Sequence, residues 1–182
     1  DQARQMNPGI EQRELPIRTQ RFFLRPLVTG DASEKYLSWL QAESTRQFIV
    51  AARDTSNLPA LRAYIEQKSG RPDVLFLGIF HTEDGRHLGN LKYEPIDTEA
   101  GFAIVGIMVG DPDWRGKGVA TEAIDASVSW LIRHRGIGEF VLDVKRANVA
   151  AIRAYEKAGF NVEHTDRIRC DPETSITMVR WA

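Results

Sequence analysis

The sequence predicts an α/β protein, with a central mixed, mostly antiparallel sheet of about seven strands and helices on both faces. The first half of the chain carries short apolar runs separated by turn residues, which is typical of antiparallel hairpins. The second half alternates strand-like and helix-like segments, which favours a layered arrangement. The chain has 182 residues and shows no internal repeat. We therefore expect one domain over residues 19–182, preceded by a mobile N-terminal arm over residues 1–18.

Local patterns place four strands and two helices in the first half. Asp31, with Glu34 three residues later, has the spacing of a capping box and opens the first helix. Pro59 suits the first turn of the second helix, which we expect to stop at Gly70. The strands are apolar runs bounded by turn residues, at residues 21–27, 74–80, 87–94 and 102–109.

The second half contains two further helices and three further strands. The predicted helices cover residues 119–134 and 148–158, and Gly159 suits the C-terminal cap of the second one. The predicted strands cover residues 139–144, 160–163 and 174–181.

Composition excludes several classes of function. The formal net charge is −1 and the basic residues are scattered, so we expect no nucleic-acid partner. No apolar run approaches the roughly 20 residues that span a bilayer, so we expect no membrane partner. The polar N-terminal stretch lacks a signal-peptide core, which favours a cytoplasmic location. Cys170 is the single cysteine; without a His or Asn constellation it is interpreted as a bystander, and no metal site is expected.

A glycine-containing loop leads from the fourth strand into the third helix. Gly116 and Gly118 allow a ligand to approach the backbone closely, and the first amides of a helix lack internal partners. Together they predict a phosphate or diphosphate site. A Walker loop does not fit, because Gly110 and Gly116 are one residue too far apart. The dinucleotide fingerprint fails at Thr121, where a third glycine is needed.

Two motifs resemble those of the GNAT superfamily of N-acetyltransferases. The segment Arg115-Gly-Lys-Gly-Val-Ala120 resembles the R/Q-x-x-G-x-G/A signature, and residues 148–160 resemble N-x-x-A-x-x-x-Y-E-K-x-G-F. Upstream pieces are similar to ribosomal-protein N-terminal alanine acetyltransferases and to bacterial sugar-amine acetyltransferases. These pieces are residues 21–27, 36–40, 89–92 and 106–110. The matching segments span roughly residues 20–165.

The resemblance implies that acetyl-CoA is the co-substrate and that the loop amides hold its diphosphate. Asn148 and Tyr155 are seven residues apart and so share one helix face, which a ligand can follow. The residues predicted to bind the coenzyme are Ile107, Met108, Val109, Arg115, Gly116, Lys117, Gly118, Val119, Ala120, Thr121, Asn148 and Tyr155.

The resemblance also implies direct attack of an unprotonated amine on the thioester. The backbone N–H of Met108 or Val109 would stabilise the oxyanion, and Tyr155 would protonate the leaving thiolate. A dedicated base is in doubt, because residues 102–109 contain no acid and no histidine. Glu94 is the best candidate for the base. The next candidates are His81, His87 and Asp97.

The missing base favours acceptors whose amines lose a proton readily. An α-amine has a pKa of roughly 7.7–8.0, against about 10.4 for lysine, so a peptide N-terminus or a sugar amine is expected over a lysine side chain. Trp39, Phe48 and Tyr93 are candidates for the acceptor pocket, or else belong to the core. A homodimer is compatible with the sequence. Two alternatives stay open: a non-catalytic sensor of acyl-CoA, and a nucleotide-binding protein.

Overall fold

The computed structural model describes residues 14–43 and 55–182. Within them one sheet of eight strands runs in the order β1-β2-β3-β4-β5-β6-β8-β7. The strands are β1 Ile17–Arg18, β2 Phe22–Pro26, β3 Leu75–His81, β4 His87–Asp97, β5 Phe102–Val109, β6 Glu139–Lys145, β7 Asn161–Val162 and β8 Ser175–Trp181. The helices of this part of the chain are α1 Glu34–Gln41, α2 Leu58–Lys68, α3 Val119–Arg135 and α4 Val149–Lys157.

Every neighbouring pair of strands is antiparallel except β5 and β6, which are parallel. The connection between these two strands contains α3, as a parallel crossover requires. This one parallel pair lies in the middle of the sheet and divides it into β1–β5 on one side and β6–β8 on the other.

Two apolar layers cover the two faces of the sheet. Alternate side chains of β5, including Ala103 and Val105, pack with α3 and α4 in the larger core. The intervening side chains, including Met108, face the smaller core that α1 and α2 form with Phe80. We call these the α3 face and the α1 face. The predicted mixed sheet with helices on both faces is thus confirmed.

The start of the fold differs from the prediction in two places. The sheet has eight strands rather than about seven because Ile17–Arg18, which we assigned to the arm, pair with β2. Ile17 is buried there. Residues 1–13 of the predicted arm lie outside the described residues. The predicted helix start at Asp31 is wrong: Ser33 caps α1 by accepting from the Tyr36 amide, while Asp31 binds Arg25 through both carboxylate oxygens at 2.8 Å.

In the described segments, no helix combines the length and apolar character needed to cross a bilayer. The same residues contain no grouping of three or more histidine, cysteine, aspartate or glutamate side chains that could hold a metal ion.

Candidate active site

A gap opens between β5 and β6 in the middle of the sheet. The two strands pair only over Phe102–Ile104 of β5 and residues 139–141 of β6. Beyond this point β5 continues to pair with β4, and β6 continues to pair with β8. Among residues 14–43 and 55–182, no strand pairs with this edge of the second half of β5, and the edge can therefore bind an extended ligand.

The alternation of hydrogen bonds shows which amides of β5 face the gap. Gly110, just after β5, donates its N–H to the Leu88 carbonyl of β4 at 2.9 Å. Since N–H groups alternate in direction along a strand, the Met108 N–H also points to β4. The amides of Ile107 and Val109 therefore point into the gap. Of the two amides predicted to hold the acetyl oxygen, the geometry favours Val109 over Met108.

Tyr155 of α4 borders the same gap. Its side chain is buried and its ring packs edge-on against Phe160, with the centroids 5.9 Å apart. Burial raises the pKa of Tyr155 to about 12, although a hydrogen bond from the Ile107 amide lowers this pKa and the Asp143 charge raises it. The hydroxyl is therefore protonated at neutral pH. Because its oxygen accepts from Ile107, its own hydrogen is available to a ligand in the gap.

The loop between β5 and α3 presents backbone amides at the mouth of the gap. Gly116 and Gly118 have φ angles of 72° and 78°, the left-handed region that favours glycine. Gly118 is the N-cap of α3 and has no side chain to cap the helix. The amides of Val119 and Ala120 therefore lack a side-chain cap, and they suit an anion. The diphosphate site at this loop stays a prediction.

Arg21 is a residue of this loop region that sequence reasoning missed. Its guanidinium donates to the Lys117 carbonyl at 2.9 Å and to the Glu122 carboxylate at 3.0 Å. It thus ties the loop to the first turn of α3 and offsets the charge of Glu122, which would otherwise repel a phosphate. The sequence contained no local signal for this contact, because 101 positions separate Arg21 from Glu122.

The side chains of the two basic loop residues contact the end of β5 and the loop itself. Arg115 donates to the carbonyls of Val109 and Gly110 at 3.2 and 3.4 Å, so its guanidinium covers the end of β5. The Lys117 ammonium lies 5.7 Å from the centre of the Trp114 ring. Phosphate contact by these side chains remains a prediction.

Asn148 caps α4. Its side-chain oxygen accepts from the Ala151 amide at 3.3 Å. The capping role of this residue is therefore present in the structure, and its predicted contact with the coenzyme stays a prediction. Thr121, in the first turn of α3, is partly buried.

Glu94 is surrounded by cations. Its carboxylate accepts from Lys68 at 2.8 Å and lies 3.2 Å from Arg71 and 3.4 Å from Lys92. Burial alone would raise the pKa of Glu94, but the hydrogen bond from Lys68 and the charges of both lysines outweigh it, so the pKa is lowered. A carboxylate held ionised in this way is a poor proton acceptor, which weakens its candidacy as the base.

The other candidate bases are also engaged in local contacts. His81 lies 3.2 Å from Asp84, and Asp97 accepts from the Ala100 amide in a turn. His87 is packed among aromatic rings, and burial lowers its pKa. Its Nε2 lies 3.1 Å from the Gly89 carbonyl, which can only accept, so this nitrogen carries a hydrogen and is not a base.

The α1 face of β5 is open at Gly106 and at the cavity beyond the end of the strand, and we call this stretch of surface the groove. Gly106 is exposed there, and no atom lies near the position of a Cβ on this residue. A cavity of about 400 Å³ lies at the end of this strand, and Trp39, which also belongs to the smaller core, lines it. Its lining residues are Lys35, Ser38, Trp39, Ala42, Arg86, Gly110, Asp111, Pro112, Asp113 and Arg115. A role for Trp39 in the acceptor pocket stays a prediction. Tyr93 instead lies in the core of the α3 face, bonded to Ser127, and Phe48 lies outside the described residues.

Comparison with known proteins identifies the family. The acetyltransferase (GNAT) domain matches residues 21–161. An N-acetyltransferase 9-like protein of Caenorhabditis briggsae is 28% identical over 135 residues, which are 68% of this chain and 66% of that protein. The [ribosomal protein bS18]-alanine N-acetyltransferase of Salmonella typhimurium is 30% identical over 121 residues, 62% of this chain and 80% of that protein.

A solved structure shares the fold. RimL, a ribosomal L7/L12 alpha-N-protein acetyltransferase in complex with coenzyme A, superposes with a TM-score of 0.78. It has 15% sequence identity, and the match covers 91% of this chain and 97% of RimL. The chain belongs to the GNAT acetyltransferase family and is an N-acetyltransferase. The resemblance inferred from the two sequence motifs is thus confirmed.

Proposed function

We propose that this protein transfers an acetyl group directly from acetyl-CoA to a primary amine, with the β5–β6 gap as its catalytic centre. One observation carries the proposal: the unpaired edge of β5 brings the Val109 amide and the hydroxyl of Tyr155 to the same gap. An amide that can stabilise an oxyanion and a hydroxyl that can donate to sulfur are the two groups that thioester aminolysis uses.

The reaction needs no covalent intermediate on the protein. The amine nitrogen attacks the thioester carbon, and the carbonyl oxygen accepts from the Val109 amide as it becomes negative. The C–S bond then breaks, and Tyr155 donates its hydrogen bond or its proton to the departing sulfur. Water takes the proton of the attacking nitrogen, because lysines hold the Glu94 carboxylate ionised and the Nε2 of His87 already carries a hydrogen.

The coenzyme lies along this edge with its diphosphate at the amides of residues 116–120. The pantetheine arm runs through the gap beside Ile107 and Val109, and Asn148 and Tyr155 flank it from α4. This placement is supported by the left-handed glycines and by the missing side-chain cap of α3.

The acceptor is a small amine, a sugar amine or a peptide N-terminus. The similarity to the alanine N-acetyltransferase of Salmonella typhimurium supports an α-amine. We place the protein in the cytoplasm. The near-neutral charge of the chain supports a protein without a nucleic-acid partner.

Release of free CoA tests the proposal. The protein, acetyl-CoA and a panel of amines are mixed with a thiol reagent, and acetylated products are identified by mass spectrometry. We expect CoA release that depends on the amine and is equimolar with the product. Binding of acetyl-CoA without release, for every amine in the panel, would instead identify a sensor of acyl-CoA.

A further inference from the structure

The groove on the α1 face is rich in basic side chains, although the chain as a whole carries a net charge of −1. Two clusters account for this. The first surrounds the cavity at the end of β5, and the second lies beside Gly106. Each contains three basic and two acidic side chains. They are Lys35, Arg86, Arg115, Asp111 and Asp113 in the first, and Lys68, Arg71, Lys92, Asp73 and Glu94 in the second.

The cavity cluster is organised around a buried carboxylate. Asp111 is only 1% exposed and lies 3.1 Å from Lys35 and 2.8 Å from Arg86. These two cations come from different elements, α1 and the β3–β4 turn, and about two fifths of each side chain is exposed. Asp111 therefore holds two basic groups at the cavity wall with part of their surface open to a ligand.

Arg115 adds a charge that no carboxylate balances among the residues that the structure describes. Its guanidinium binds the carbonyls of Val109 and Gly110, and it lines the cavity as well. Because the Val109 backbone faces the gap, Arg115 lies between the cavity and the position that we assign to the reacting thioester. A molecule in the cavity can thus place an amine next to the Val109 amide.

The second cluster extends the positive surface along β5. Lys92 is opposite Gly106 in the β4–β5 register, and its ammonium donates to the Tyr64 hydroxyl at 2.8 Å. Lys68 and Arg71 share the carboxylate of Glu94 with it. Both ends of the groove therefore carry an excess of positive charge.

From these clusters we infer that the acceptor is a small amine that also carries an anionic group, either a carboxylate or a phosphate. Arg86 and Lys35 bind this group in the cavity, while the amine points along β5 to the thioester. This inference rests on the proposed function. It excludes polyamines as good acceptors, because a polycation would enter a groove that already has excess positive charge.

The same charges assist the chemistry. A nearby cation disfavours the protonated form of an amine and lowers its pKa. An acceptor held beside Arg115 therefore loses its proton more readily than it does in water. This effect supplies part of what a dedicated base would provide, and it fits a site whose candidate carboxylate is held ionised by lysines.

Matched acceptors test the inference. To test a phosphate group, glucosamine 6-phosphate is compared with glucosamine. To test a carboxylate group, the dipeptide amide of Ala-Asp is compared with that of Ala-Asn. Spermidine represents the polycations. We expect kcat/KM to be at least 10-fold higher for the anionic member of one pair, which identifies the anion, and lowest for spermidine. Equal values within both pairs, or spermidine as the best acceptor, would overturn the inference while leaving N-acetyltransferase activity intact.

Variants locate the effect. Arg86→Gln removes one cation while Lys35 still pairs with Asp111, and we expect a loss of roughly 10- to 100-fold in kcat/KM for the anionic acceptor, mostly in KM. Kd for CoA should not change. Arg133→Gln removes the same charge from an exposed position on α3 and serves as the control. A Kd for CoA that rises in Arg86→Gln with unchanged acceptor preference would assign these cations to the coenzyme. An absence of turnover with every amine would refute the proposed function and this inference together.

Discussion

Replacing Tyr155 by Phe removes the one hydroxyl that we place at the sulfur of the coenzyme. The ring remains and keeps its contact with Phe160, so the fold should persist. Loss of the oxygen deprives the Ile107 amide of an acceptor, which costs about 1 kcal/mol of stability. The substitution therefore separates a chemical defect from a structural one.

The expected loss of kcat can be bounded from the pKa values. The pKa of Tyr155 is about 12, whereas an ordinary thiol has a pKa of about 8.5, so complete proton transfer to the thiolate is uphill by roughly 5 kcal/mol. Tyr155 therefore acts mainly through a hydrogen bond to the developing charge. A positioned acid contributes roughly 100- to 10,000-fold, and we expect about 100-fold here because a thiolate leaves readily.

The control for this variant is Tyr93→Phe. Tyr93 is also buried, burial also raises its pKa, and its hydroxyl bonds to Ser127 at 2.7 Å in the core, away from the gap. Both variants should lose about 1 kcal/mol of stability in denaturant titrations. Steady-state CoA release should show a fall in kcat for Tyr155→Phe alone, with Kd for CoA changed less than threefold. A Tyr155→Phe enzyme that keeps half of its kcat would refute the role of general acid.

Three further predictions address the loop, the carboxylate and the pH profile. Gly118→Ala forces a side chain into a φ of +78° next to Arg21 and should weaken CoA binding about 10-fold by calorimetry, whereas Gly101→Ala, at the same φ in the turn before β5, should leave it unchanged. Glu94→Gln should change kcat less than threefold, and a 100-fold fall would restore Glu94 as the base. The pKa of Glu94 is lowered in the folded protein, so its ionised carboxylate stabilises the fold above a pH of about 4.3. This stabilisation is lost as pH falls through the folded pKa. The free energies of unfolding of wild type and Glu94→Gln should therefore converge in acid. Tyr155 stays protonated through pH 10, so kcat should show no alkaline fall from pH 8 to 10; a fall with a midpoint near 9 would contradict the raised pKa.

Local pattern was sufficient to predict the parts of the site that depend on sequence neighbours. The strand Phe102–Val109, the glycine loop and the start of α3 at Val119 were all predicted at the positions where the structure has them. Each is defined by chemistry within a few residues: an apolar run, glycines that adopt positive φ, and a helix without a side-chain cap.

Features that depend on distant partners could not be predicted. Whether Met108 or Val109 faces the gap depends on the hydrogen-bond register of β5 with β4, which the sequence does not reveal. Asp31 has the spacing of a capping residue, but Arg25 on β2 takes its carboxylate and Ser33 becomes the cap. The sequence position of Glu94 suggests a base, but the fold places Lys68 and Lys92 against its carboxylate.

A polar residue within a buried strand is a further signal of a functional position in the sequence. Asn90 is 4% exposed on the α1 face of β4, and its side-chain oxygen lies 2.7 Å from His87 Nε2. Its side-chain nitrogen has no hydrogen-bond partner among the described residues. A buried donor of this kind usually has a partner, so Asn90 belongs among the residues to inspect when a ligand is bound.

The most direct test is a crystal structure of the protein with CoA. In the proposed placement, the diphosphate lies within hydrogen-bond distance of amides of residues 116–120, the sulfur lies within reach of the Tyr155 hydroxyl, and pantetheine lies between β5 and β6. Density for CoA on another surface of a well-ordered crystal, with this gap filled only by water, would contradict it.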